Sequence, residues 1–173
     1  MLFYIPLLLI ITANFWNGFT LNYSIVETIL YILSMFCVGF LEEIIFRGFL
    51  FESIKQDNVK LAIIISSITF GIGHIINMIN GSGAELLTNL LQVIYATAAG
   101  FMFVMIYYKS NSLLTCIATH SIFNALNVFS KESTTLQMQI ISASALTIIA
   151  GGYAIYLAVS VRKNNHRKQN TLN

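Results

Sequence analysis

Six long apolar segments, separated by short polar breaks, make up most of this 173-residue chain. An apolar helix needs about 20 residues to cross a hydrocarbon core of about 30 Å, and only helices or closed barrels satisfy their backbone hydrogen bonds there. Charged residues are 9% of the sequence and hydrophobic residues 57%, whereas a soluble domain has roughly 25% charged residues. The sequence therefore predicts an all-α, polytopic transmembrane helical bundle that forms a single integral-membrane domain over residues 1–173.

The apolar segments predict about six spans, of which the first is the shortest. It contains the only proline, Pro6, and either crosses as a shortened helix or lies in the interface. Trp16 and Tyr23, in the loop that follows, are residue types suited to an interfacial aromatic belt. The expected bounds of the segments are 2–14, 24–54, 61–79, 85–108, 112–129 and 136–161, with a turn at 80–83 before the fourth.

Lysines and arginines outside the apolar segments are distributed unevenly between the two sides of the predicted bundle. Alternating spans place most of them on one side and Lys131 alone on the other. Because cytoplasmic loops carry an excess of these residues, the richer side is expected to be cytoplasmic, with a basic cytoplasmic tail at 162–173 and a location in the cell membrane. The richer side holds Lys55, Lys60, Lys109, Arg162, Lys163, Arg167 and Lys168.

Composition and cysteine spacing argue against several other classes of protein. The net charge of +2 is too small to indicate phosphate-backbone binding, so no nucleic-acid partner is expected. Cys37 and Cys116 lack the spacing of a zinc site or a disulfide framework, and both are predicted to be small buried hydrophobes. The lipid bilayer is the expected environment.

Two carboxylates and a guanidinium interrupt the second segment at Glu42, Glu43 and Arg47. Glu43 and Arg47 are four residues apart, so they share a helix face and can pair. Glu42 lies about 100° round the helix from Glu43 and points elsewhere. A single glutamate would fit a solvated helix end at the lipid headgroups, but ionisable residues inside an apolar segment indicate a functional site.

Two histidines lie inside other predicted spans, each with a partner one helical turn away. Phe70 precedes His74 by four residues and Asn124 follows His120 by four, so each pair shares a face. Counted from the cytoplasmic ends, Glu42, both histidines and Asn124 lie roughly 15–21 Å deep at 1.5 Å per residue. The sequence therefore predicts a polar site buried between the second, third and fifth spans.

These polar residues also have a purely structural interpretation. Histidine and asparagine often hydrogen-bond between membrane helices, and Gly71 and Gly73 would allow two helices to approach closely. Asn77 and Asn127 lie on the same faces as the two histidines and would extend the polar surface. The structural interpretation, however, requires that three polar features, each energetically costly inside a membrane, lie at the same depth by coincidence.

Together, these residues form three motifs in a fixed order on successive predicted helices. The motifs are Glu42-Glu43-x-x-x-Arg47, Phe70-x-x-x-His74 and His120-x-x-x-Asn124.

The ordered set resembles the motifs of the CPBP family, the CAAX-protease and bacteriocin-processing (Abi) intramembrane endopeptidases, also called type II CAAX proteases. The resemblance covers residues 24–129. Family members commonly have additional preceding spans, so the chain is short at its N-terminus by comparison. The resemblance implies a glutamic protease in which Glu42 and His74 activate water, with no acyl-enzyme.

The remaining motif residues suit other tasks in peptide hydrolysis. His120 and Asn124 offer N–H donors one turn apart that can face a tetrahedral oxyanion. Glu43 and Arg47 would fix the orientation of their helix, or Arg47 would bind a substrate C-terminal carboxylate, which a planar guanidinium recognises well. Phe70 would form one wall of the site.

Zinc offers a rival mechanism, because three protein ligands and a water molecule make a catalytic zinc site. Glu42, His74 and His120 would then be the ligands. The sequence has no His-Glu-x-x-His motif, and the resemblance favours an enzyme without a metal cofactor.

The expected substrate is a membrane-associated peptide or protein that enters from the bilayer or the cytoplasmic face, toward which the active site would open. Eukaryotic relatives remove the three C-terminal residues of prenylated CaaX proteins, and the compact size fits the branch linked to peptide processing and bacteriocin immunity. A non-catalytic immunity or scaffold protein that keeps the fold is the alternative. A transporter is a third interpretation, although the sequence has no repeat symmetry of the kind many transporters show.

Overall fold

The structure is a computed structural model that describes residues 5–78, 85–131 and 135–170, with side chains described as far as Val161. These residues fold into α-helices joined by short connections, which confirms the predicted all-α fold. The helices are α1 (Ile5–Ile11), α2 (Ile25–Glu43), α3 (Glu52–Lys55), α4 (Val59–Gly73), α5 (Leu86–Ser110), α6 (Leu113–Leu126) and α7 (Leu136–Asn170). The turn expected at 80–83 lies outside the described residues.

All six predicted apolar segments are helical where they are described, but they differ in length. Four helical segments are long and apolar enough to cross a membrane: Ile25–Lys55, Val59–Met78, Leu86–Ser110 and Leu136–Val161. The first and fifth segments form shorter apolar helices, Ile5–Phe15 and Leu113–Phe129. A straight span needs about 20 residues, so length alone does not make these two segments spans.

A π-helical segment, Ile44–Phe51, joins α2 to α3 in one continuous helix. It begins directly after Glu43 and includes Arg47. Ser66 of α4 donates a hydrogen bond of 2.7 Å to the carbonyl oxygen of Phe46 within it. Short π segments inside α-helices occur frequently at functional sites, and this one coincides with the first motif.

Glycines allow close crossings between helices in the described bundle. A Cβ atom added to Gly71 would lie 2.8 Å from the Cα of Thr97 on α5, and one added to Gly39 would lie 2.8 Å from the Cα of Ser121 on α6. The expectation that Gly73 also supports close packing is wrong, because no heavy atom of the described structure lies within 4 Å of an added Cβ there. Close approach at the α4–α5 and α2–α6 interfaces therefore depends on glycine.

The apolar core is centred on α5, which packs against α4 and α7, whereas α2 packs chiefly against α6. Cys116 is buried in this core, as predicted, but Cys37 of α2 is exposed. The prediction for Cys37 is wrong because α2 lies at the edge of the bundle, and only 11% of its most apolar stretch is buried. Such a surface suits contact with lipid.

The loop between α1 and α2 is attached to the C-terminal half of α6 and the residues after it. Asn14 donates a hydrogen bond of 2.8 Å to the carbonyl oxygen of Phe123, and Asn22 donates to the carbonyl of Ser130 at 2.9 Å. These contacts fix α6 beside the start of α2, where a capping box formed by Ser24 and Glu27 begins the helix.

Candidate active site

Glu43 and Arg47 form a fully buried ion pair where α2 passes into the π segment. Nη1 of Arg47 donates to Oε1 of Glu43 at 2.9 Å, and both side chains are 0% exposed. Nη2 of Arg47 donates to the carbonyl oxygen of Gly100 on α5 at 3.2 Å. The pairing predicted from the four-residue spacing is present, and burial separates Arg47 from the surface of the protein.

Aromatic rings enclose the guanidinium group. The Cζ atom of Arg47 lies 4.3 Å from the ring centroid of Phe70 and 5.4 Å from that of Phe103. Cation–π contacts of a desolvated guanidinium are worth about 2 kcal/mol. Phe46 packs edge-on against Phe70 at 5.3 Å, so Phe70 belongs to the packing that surrounds the ion pair.

His120 links the buried ion pair to the other glutamate. Its Nδ1 lies 2.9 Å from Oε1 of Glu43, and its Nε2 lies 3.4 Å from Oε2 of Glu42. The imidazole ring stacks on Phe103 and meets Phe70 edge-on, each with 5.5 Å between centroids. His120 is buried, whereas the Glu42 side chain is 31% exposed. We refer to Glu42, Glu43, Arg47 and His120 as the polar cluster, which runs from the core to the surface.

Hydrogen-bond partners fix the orientation of the His120 ring. The carboxylate of Glu43 accepts a hydrogen bond from Arg47, and a carboxylate paired with a guanidinium is an acceptor, so Nδ1 of His120 is the donor to Oε1 of Glu43. Nε2 of His120 is left facing Oε2 of Glu42 at 3.4 Å. The ring therefore places one nitrogen atom at each of the two glutamates.

His74 lies where α4 ends and a 3-10 turn, His74–Met78, begins. Its Nδ1 is 3.1 Å from the carbonyl oxygen of Phe70. A carbonyl oxygen only accepts, so Nδ1 carries the proton and Nε2 is left as an acceptor. The His74 ring packs edge-on against Phe70 at 5.3 Å, and His120 contacts the same phenylalanine. The second and third motifs therefore meet at Phe70.

The three asparagines predicted on these helix faces have different surroundings. Asn124 is half-buried on α6, one turn beyond the histidine of its motif. Asn127 donates a hydrogen bond of 3.2 Å to the hydroxyl oxygen of Tyr31 on α2, and so it extends the polar side of the α2–α6 contact. Asn77 instead turns to α5, where it donates to Oε1 of Gln92 at 3.0 Å.

The candidate zinc ligands Glu42, His74 and His120 do not form a metal-binding group in this structure. Across the described ranges, no three histidine, cysteine, aspartate or glutamate side chains are arranged to hold a metal ion. Nδ1 of His120 and Nδ1 of His74 are both engaged in hydrogen bonds within the protein, which leaves Nε2 as the outer nitrogen of each ring.

The fourth predicted span, α5, supplies contacts that the motifs did not indicate. Gly100 accepts a hydrogen bond from Arg47, and Phe103 packs on both Arg47 and His120. A Cβ atom added to Gly100 would lie 2.8 Å from the carbonyl oxygen of Ser67, so a glycine is needed for this approach of α4 to α5. A glycine and a phenylalanine in an apolar helix carry no signal that sequence reasoning could have used.

Fold and site together define a class: a helical membrane protein in which two carboxylates, an arginine and a histidine form a partly open polar cluster, with a second histidine packed on the same phenylalanine, Phe70. The family model described as type II CAAX prenyl endopeptidase, Rce1-like, matches residues 24–126, which contain all three motifs.

The chain belongs to the Rce1-like family of type II CAAX prenyl endopeptidases. The resemblance to the CPBP family is thereby confirmed, and the family is one of CAAX-type intramembrane proteases. Neither a curated protein nor a solved structure matches the chain.

Proposed function

We propose that this protein hydrolyses peptide bonds of membrane-associated peptides or proteins, with a water molecule activated by Glu42 and His74. The observation that carries the proposal is that the two glutamates differ in burial and in their contacts. Glu43 is fully buried and paired with Arg47, whereas Glu42 is 31% exposed and contacts only the Nε2 side of His120 within the polar cluster. Glu42 is thus the carboxylate that a water molecule and a substrate can reach.

Glu42 acts as the general base in this proposal. Its carboxylate takes a proton from water, and the resulting hydroxide adds to the substrate carbonyl carbon to form a tetrahedral oxyanion. Nε2 of His74, an acceptor because Nδ1 donates to Phe70, holds a hydrogen atom of the same water. The proton held by Glu42 then passes to the amide nitrogen and the C–N bond breaks. The products are an amine and a carboxylic acid, and no acyl-enzyme forms.

His120 and Asn124 stabilise the oxyanion. With a hydrogen on Nε2, His120 is a donor whose ring is fixed by Glu43 and Phe103. Asn124 brings an amide donor from one turn further along α6. Removing one oxyanion donor typically lowers kcat by about 10²–10³-fold.

Arg47 has a positioning role in this mechanism. Its guanidinium is fully buried and bonded to Glu43 and Gly100, so binding a substrate C-terminal carboxylate would require the ion pair to break and the helix to move. Breaking such a buried pair typically costs about 3–5 kcal/mol. Burial therefore favours the role of Arg47 in holding Glu43 over a role in substrate recognition.

The proposed substrate reaches Glu42 along an apolar surface. Phe40 and Leu41 on α2 and Ile45 on the π segment flank the glutamates and are exposed. A lipid-modified or amphipathic peptide can contact such a surface without leaving the bilayer. The excess of lysine and arginine at one end of the helices supports a cytoplasmic orientation for that end and a location in the cell membrane.

Two internally quenched peptides test the proposal with the purified protein in lipid vesicles. One carries an S-farnesyl cysteine followed by three residues, and the other has the same sequence without the lipid. Cleavage by the wild type and its loss in the Glu42→Gln variant are expected, with Glu52→Gln as a matched control for the loss of one carboxylate. Cleavage of the farnesylated peptide alone would indicate a prenylated substrate. Undiminished cleavage by Glu42→Gln would overturn the mechanism, and absence of cleavage by the wild type would favour a scaffold.

A further inference from the structure

The turn that carries His74 is held by two polar side chains of α5, Asn89 and Gln92. Nδ2 of Asn89 donates to the backbone carbonyl oxygen of His74 at 2.9 Å. Oε1 of Gln92 accepts from Asn77, which lies three residues after His74 in the same 3-10 turn. Helix α5 therefore bonds to the backbone at the start of this turn and to a side chain near its end.

The burial of Asn89 is energetically unfavourable. It is 1% exposed near the start of α5, and its Oδ1 has no hydrogen-bond partner within the described part of the chain. A buried acceptor without a partner destabilises a protein, whereas an apolar side chain of similar size carries no such penalty. The benefit that offsets this cost is its Nδ2–H, which donates to His74.

The local backbone explains why a side-chain donor matters here. At His74 the chain changes from an α-helix to a 3-10 turn, whose hydrogen bonds have poorer geometry. The preceding turn of α4 is fixed by the close crossing of Gly71 with Thr97. The bond from Asn89 extends the fixed region by one turn, as far as the histidine.

We propose that Asn89, assisted by Gln92, is a positioning residue for His74. These two residues fix the position of the His74 backbone, and through it the position of the imidazole ring in the active site. The inference rests on the proposed role of His74 in water activation. Phe70 fixes the tautomer of the ring through its carbonyl group, and Asn89 fixes the backbone that carries the ring. Loss of the Asn89 donor therefore displaces an acceptor for the reacting water and leaves the apolar surface around Glu42 unchanged.

Nitrogen-15 NMR of the histidine rings tests the placement of His74 without reference to activity. The chain has three histidines, so selective histidine labelling gives few signals, which His→Gln variants assign. Asn89→Leu keeps the branched shape and the number of heavy atoms of the side chain and removes the donor, and it should shift the ring signals of His74 while those of His120 stay. Thr88→Val is the matched control, because it removes the hydrogen bond of 3.1 Å from the neighbouring residue to Gln139 on α7.

The second readout is enzyme kinetics, measured with the quenched peptide that the wild type cleaves. A displacement of about 1 Å can cost on the order of 100-fold in rate, so kcat of Asn89→Leu should fall by about 10–100-fold with KM unchanged. Gln92→Leu should show the same pattern to a smaller extent, and it provides the test if Asn89→Leu does not fold. Thr88→Val should keep both constants.

The positioning role would be overturned if the His74 ring signals were unchanged in a folded Asn89→Leu protein. If only Gln92→Leu folds, unchanged signals in that variant would overturn it. A fall in activity through higher KM alone would also overturn it, because the substrate surface would then be what changed. Full activity of a His74→Gln variant would bear on the proposed function and not on the positioning by Asn89. It would refute the catalytic role of His74 while a shifted ring signal would still show that Asn89 holds the turn.

Discussion

Nδ1 of His120 lies 2.9 Å from Oε1 of Glu43, a residue 77 positions earlier in the chain. This contact joins α6 to α2 at an oxygen atom that Arg47 also holds. It makes the buried ion pair part of the candidate active site, because a change at Glu43 reaches Glu42 through the His120 ring.

Replacing Glu43 by glutamine should lower both stability and activity. The substitution leaves the Arg47 guanidinium buried without a counter-charge, and breaking a buried pair in this way costs about 3–5 kcal/mol. Thermal unfolding followed by fluorescence measures the effect. The control is Glu52→Gln, which removes a pair of 2.7 Å with Lys55 whose side chains are about one-third exposed, and such pairs are worth about 0–1 kcal/mol. Equal destabilisation by the two substitutions would contradict the importance of the buried pair.

Replacing Arg47 by lysine should impair folding or turnover even though the charge is kept. A lysine ammonium lacks the planar fork that donates to both Glu43 and Gly100, and it stacks less well on Phe70. Melting temperature and kcat/KM of the purified variant measure the outcome, with Lys55→Arg as the reciprocal exchange at a partly exposed site. Normal turnover by Arg47→Lys would rule out the positioning role.

A single methyl group at Gly39 should disturb the polar cluster from a distance. Its Cβ would lie 2.9 Å from the backbone nitrogen of Ser121 and 2.7 Å from its Oγ, so α2 must move away from α6, which carries His120. Overpacking of this kind costs about 1–3 kcal/mol, and activity should fall with it. Gly151→Ala on α7 is the control, because no described heavy atom lies within 4 Å of its added Cβ. If Gly39→Ala and Gly151→Ala behaved alike, the close α2–α6 crossing would not govern the site.

Chelators should leave activity intact. The proposed reaction uses a carboxylate base and needs no metal ion. Peptide cleavage is measured before and after incubation with EDTA or o-phenanthroline. Loss of activity that added zinc restores would replace the glutamic mechanism with a zinc-dependent one.

Sequence reasoning was most successful where the periodicity of the helix decides the outcome. The Glu43–Arg47 pair follows from a spacing of four residues, and the separate direction of Glu42 follows from the angle between neighbouring residues. The high cost of ionisable groups in lipid correctly indicated that the three motifs belong together, and Phe70 joins two of them in the structure.

Features that depend on the rotation of one helix relative to another were not predictable. The contact of His120 with both glutamates requires the α2–α6 crossing at Gly39, and the π segment is accompanied by a hydrogen bond from Ser66 on another helix. The exposure of Cys37 likewise depends on which side of α2 has a neighbour. Asn89 carries no motif, and its contact with the carbonyl group of His74 is visible only in three dimensions.

The most direct test of peptide-bond hydrolysis by Glu42 compares peptide termini, by quantitative mass spectrometry, in cells that contain the wild-type protein and cells that contain an equally abundant Glu42→Ala variant. A defined set of new termini should appear only with the wild type, and these termini would identify the substrate and the cleavage preference. Identical profiles, under conditions where deletion of the protein has a phenotype, would refute proteolysis and indicate a membrane protein that acts through binding.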